Sequence, residues 1–102
     1  TVTRAKSFDT FCPLGPFIQT NFEQNPELGI KCFVNNELKQ DGNTRDMIFS
    51  IGDILCFVSS IMTLLPGDVI LTGTPEGVSK VGPGDEIKIE IETIGTLVNS
   101  IK

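Results

Sequence analysis

Apolar residues recur along this chain with two different periods. Over residues 30–35 they alternate, with Ile30, Cys32 and Val34 on one side and Lys31 and Phe33 on the other, which predicts a half-buried strand. Asn35 and Asn36 tolerate the left-handed backbone of a tight turn, and a polar strand over 37–40 completes a predicted hairpin. Residues 86–92 alternate more cleanly still, Ile87, Ile89 and Ile91 inward and Lys88, Glu90 and Glu92 outward. A bend at Ile94-Gly95 then leads to a last strand over 96–101. The helical period appears once: Ile51, Ile54, Leu55, Val58, Ile61 and Met62 share a face, and Ser50 with Asp53 three residues on reads as a capping box opening that helix.

Two further strands are expected. Residues 17–20 follow a proline-punctuated loop, and the continuous apolar run Val69-Ile70-Leu71 reads as a strand buried on both faces. Residues 21–29 and 41–46 are read as connections, and Pro66-Gly67-Asp68 and Pro83-Gly84-Asp85 as turns. The sum is six strands and one helix in one domain spanning residues 1–102. The predicted class is mostly β (α+β), a twisted or rolled sheet covered by the helix.

Composition narrows the partners. With 8 basic and 13 acidic residues there is no basic stripe, which argues against nucleic acid and against an anionic membrane surface. No apolar run approaches the ~18 residues of a membrane span. Cys12, Cys32 and Cys56 match no metal-ribbon spacing, and apolar neighbours predict reduced, buried thiols in a reducing compartment, cytoplasmic or mitochondrial. The absence of histidine excludes a Ser-His-Asp or Cys-His mechanism within the chain.

Two stretches remain as candidates for chemistry. Lys6 is the sole cation between Ala5 and Lys31 and sits among Phe8, Phe11, Cys12 and Leu14. It reads either as a solvated surface lysine or as a partner for a carboxylate or enolate oxygen. Thr72-Gly73-Thr74-Pro75-Glu76-Gly77 follows an apolar run. It reads either as an ordinary turn or as a nest of backbone N–H groups and hydroxyls for an anion. The acidic residues are scattered, and Glu86, Glu90 and Glu92 read as the solvated side of a strand.

Five segments in order resemble the fumarylacetoacetate hydrolase family. They are Lys6-Ser7-Phe8-Asp9-Thr10-Phe11-Cys12-Pro13-Leu14-Gly15-Pro16, Val34-Asn35-Asn36-Glu37-Leu38-Lys39-Gln40, Asn43-Thr44-Arg45-Asp46-Met47-Ile48-Phe49-Ser50, residues 65–78, and Ile94-Gly95-Thr96-Leu97-Val98-Asn99. The likeness is to the branch of acylpyruvate hydrolases, oxaloacetate decarboxylases and 2-hydroxyhepta-2,4-diene-1,7-dioate isomerases. It implies the C-terminal portion of a catalytic domain with a mixed β-roll fold, a homodimer, and Mg²⁺- or Mn²⁺-assisted chemistry on a 2-oxo or diketo acid. By resemblance Lys6 is catalytic and touches substrate, Thr74 hydrogen-bonds the substrate carboxylate, Gly73 permits its close approach, and Thr10 lies near the metal site. The family's metal-binding acids and its catalytic Glu and His fall upstream of the lysine motif. No metal ligand is therefore expected in this chain, and Glu90-Ile91-Glu92 is not assigned to one. Alternatives are a chain that folds or dimerises without catalysis, and a small binding module for an anionic metabolite.

Overall fold

A computed structural model describes residues 9–10, 12–21 and 26–102. Its ordered elements are β1 (Gly29–Val34), β2 (Glu37–Asn43), α1 (Ile51–Ile61), β3 (Glu86–Ile91) and β4 (Gly95–Ser100), with a 3-10 turn at Thr44–Asp46 between β2 and α1. The four strands form one antiparallel sheet in the order β2-β1-β3-β4. Mostly β with one helix, it has the class expected of the sequence.

Register explains why the alternating segments became strands. Ile30, Cys32 and Val34 pair with Ile91, Ile89 and Ile87, so the apolar sets of β1 and β3 share a face, and Leu97 opposite Ile89 extends it. Lys31, Phe33, Lys88 and Glu90 occupy the other face, where the Lys88 ammonium lies 4.6 Å from the centre of the Phe33 ring and 3.5 Å from Glu90.

The turns are built by side chains. Asn35 and Asn36 both take positive φ (51° and 66°), as the tight hairpin requires. The Asn35 side chain also spans to β3, where its Nδ2 donates to Asp85 (2.9 Å) and its Oδ1 accepts from the Glu86 N–H (2.9 Å). The two Pro-Gly-Asp turns are twins. Leu65 N–H donates to Asp68 and Gly82 N–H to Asp85, both at 2.8 Å, and Gly67 and Gly84 supply the positive φ that follows proline in this turn type. The capping box of α1 is formed: Ser50 Oγ accepts from Asp53 N–H (3.1 Å), and Asp53 Oδ2 from Ser50 N–H (3.3 Å).

Several expectations are corrected. Residues 17–20 form no strand. Neither do residues 69–71, whose Val69 and Leu71 are 55% and 80% exposed instead of buried. Three apolar residues make a buried strand only with partners on both sides, and every described ladder lies among β1–β4. The connection at 41–46 is ordered, because β2 continues through Asn43 and Thr44 then ties the 3-10 turn to the entry of β1. Its hydroxyl donates to Pro26 O (2.7 Å) and accepts from Leu28 N–H (2.8 Å). Cys12 and Cys56 are exposed and Cys32 is half-buried; all three are free thiols, but none is the buried packing residue expected. The helix makes only sparse contact with the sheet, and no described residue is fully buried.

Candidate functional site

The segment carrying Gly73 and Thr74 is irregular and exposed, yet it is fastened to β2 at several points. Gln40 Nε2 donates to Thr74 Oγ1 (2.9 Å) and to Pro75 O (2.8 Å). The Pro75 ring lies against Gly42, where a Cβ would stand 3.3 Å from its Cγ. Gly77, at φ 103°, passes so close to the Lys39 carbonyl that a side chain there would collide with it. Gly73 also has a positive φ (98°), with open space where its Cβ would be, which leaves that side of the loop accessible.

The loop offers donors. No described acceptor takes the backbone N–H of Gly73, Thr74, Glu76 or Gly77, and the Thr74 hydroxyl, engaged as an acceptor, still carries its own proton. Such a cluster can hold a carboxylate. The nearest cation on β2, Lys39, is paired with Glu37 at 3.1 Å. A shallow depression of about 460 Å³ beside the loop is lined by Leu38, Lys39, Asp41, Glu76 and Gly77. A larger one of about 510 Å³ lies at the β3–β4 turn, away from these groups.

Of the other expected site residues, Lys6 lies outside the described residues. Thr10 is exposed with φ 68°, an unfavourable backbone for a β-branched residue, costing roughly 1–2 kcal/mol. It makes no hydrogen bond to the Thr74 loop. Among the described residues no three Asp, Glu, Cys or His side chains converge as cation ligands. These described residues do not by themselves fit a resident divalent metal.

The tether of the loop by Gln40 is not legible in the sequence. Strict alternation from Glu37 and Leu38 puts Gln40 on the face of Phe33 and Lys31. A β-bulge changes that: Val34, Phe33 and Cys32 pair with Glu37, Leu38 and Gln40, leaving Lys39 as the extra residue. The bulge turns Gln40 to the face of Cys32 and Ile30, where Gly42 and Pro75 also meet.

All 102 residues match the model of the fumarylacetoacetate (FAA) hydrolase C-terminal region. The chain belongs to the fumarylacetoacetate hydrolase family. It is 54% identical over 98% of its length to an uncharacterized protein of Methanocaldococcus jannaschii, of which it covers 42%. The chain thus spans about two fifths of the length of that relative. It superposes on the 2-hydroxyhepta-2,4-diene-1,7-dioate isomerase of Mycobacterium marinum with a TM-score of 0.89 and 49% identity, covering 95% of this chain and 38% of that one. It likewise matches the maleylpyruvate hydrolase of Sphingobium sp. SYK-6, solved with manganese(II) and pyruvate, with a TM-score of 0.85 and 44% identity over 91% of this chain and 36% of that one. The fold and family expected of the sequence are therefore established, and its fumarylacetoacetate hydrolase relatives include an isomerase and a hydrolase.

Proposed function

We propose that this chain, as one domain over residues 1–102, supplies the substrate-carboxylate side of an enzyme acting on 2-oxo or diketo acids. The reaction class is C–C hydrolysis, decarboxylation or keto–enol isomerisation through an enolate. The observation that carries this reading is the loop of donors at Gly73, Thr74, Glu76 and Gly77, without acceptors among the described residues and fastened to β2. In it the Thr74 hydroxyl and neighbouring N–H groups hold the carboxylate, and the open side of Gly73 admits it. Lys6 is the proposed partner of the oxygen on which enolate charge develops, a contact that strengthens where water is excluded. Thr10 is proposed to lie in the surroundings of the metal. Mg²⁺ or Mn²⁺ is the proposed cofactor, held by residues other than those described; the manganese and pyruvate in the maleylpyruvate hydrolase support it. A homodimer in a reducing compartment completes the reading. Among the described residues no helix is long and apolar enough to cross a membrane.

The test joins this chain to the unmatched part of the M. jannaschii relative and assays acetylpyruvate cleavage and oxaloacetate decarboxylation with Mg²⁺. Lys6→Ala and Thr74→Val are expected each to lower kcat/KM by at least about tenfold, the loss of one charge-assisted or transition-state hydrogen bond. Full activity in the double variant would sink the assignment. A second reading, a chain that folds or dimerises without catalysis, is favoured by the lack of converging ligands among the described residues. Calorimetric titration of the 102-residue chain with Mg²⁺ and oxalate tests that second reading: micromolar binding contradicts it, whereas the absence of binding agrees with both.

A further inference from the structure

Gln40 touches the candidate loop through both hydrogens of one amide group. Its Nε2 lies 2.9 Å from Thr74 Oγ1 and 2.8 Å from Pro75 O. A backbone carbonyl can only accept, so the contact with Pro75 O fixes which end of the Gln40 amide faces the loop. With the NH₂ end fixed there, Thr74 Oγ1 beside it must also accept. A threonine hydroxyl has one proton, and no described residue takes it. The β2 bulge at Lys39 is what turns Gln40 toward the loop in place of the opposite face of the sheet.

We propose that Gln40 is a positioning residue that sets the polarity of the Thr74 hydroxyl, holding it as an acceptor so that its proton is presented to an incoming carboxylate. The proposal rests on the carboxylate reading of the loop and adds to it a residue that does not itself touch substrate. Without Gln40 the hydroxyl rotates freely and can offer its lone pairs to the anion, and Pro75 loses its tether to β2.

The measurement is pyruvate affinity by calorimetry in the joined protein described above, for Gln40→Met, Thr74→Val and the double variant. Met has nearly the length and volume of Gln but no N–H, so a role in packing alone is preserved; Gln40→Ala is the second variant should Met disturb the bulge. The expected loss is about fivefold for Gln40→Met, the worth of one net hydrogen bond, shrinking to under about twofold in the Thr74→Val background, where there is no hydroxyl to orient. Unchanged affinity in Gln40→Met and Gln40→Ala, or an equal loss with and without the Thr74 hydroxyl, overturns the positioning role while leaving the carboxylate reading standing. Unchanged affinity in Thr74→Val overturns the carboxylate reading and this proposal with it.

Discussion

Single side chains carry more of this structure than their exposure suggests. Asp85 shows it best: the Gly82 N–H and then the Asn35 amide donate to its carboxylate and hold its pKa below the ordinary 3.8. A carboxylate with a lowered folded-state pKa stabilises the fold above its unfolded pKa and loses that contribution as pH falls through the folded one. The stability gap between the natural chain and Asp85→Asn should therefore be constant at neutral pH and narrow below pH 3.8, measured as urea midpoints across pH. A gap that widens on acidification contradicts the assignment. Asp85 and Asn35 are each legible in the sequence as turn residues, because turn chemistry is local. The bond between them is not, because it crosses 50 positions of chain and only the β1–β3 pairing brings its ends together.

At the scale of elements, legibility followed the same divide. The hairpin, the helix and the last two strands were legible because alternation, a capping box and paired asparagines all act within a few residues. The bulge was not, because one extra residue reverses every later face without altering the composition. That hid Gln40, and with it the reason the Thr74 loop stands where it does. Residues 69–71 misled for a related reason: an apolar run states that a segment wants cover, not what covers it. The helix gives a direct check. Because α1 packs sparsely on the sheet, its ends depend on their own caps, and Ser50→Ala should cost about 1 kcal/mol in denaturant stability with a loss of helical circular dichroism. No loss in either would mean that packing, not the capping box, holds the helix start.

For the molecule as a whole, the dominant fact is uncovered apolar surface. Ile18, Ile48, Phe57, Leu71 and Val78 are each more than 60% exposed, and the radius of gyration is 14.9 Å where a compact chain of this length has about 13 Å. So many uncovered apolar side chains favour association, so light scattering of the 102-residue chain should report mass well above 11.1 kDa; a monodisperse monomer contradicts this. The strand order carries a kinetic consequence as well. β1–β2 and β3–β4 are hairpins that close locally, whereas the central β1–β3 seam must bring together strands separated by residues 35–85. Closing so long a loop sets the entropic hurdle for folding, and the segment inside it includes the loop tethered to Gln40. On the proposed reading, a carboxylate that binds only the folded loop would draw the folding equilibrium toward the native chain, so that occupancy of the site and closure of this long segment would be linked.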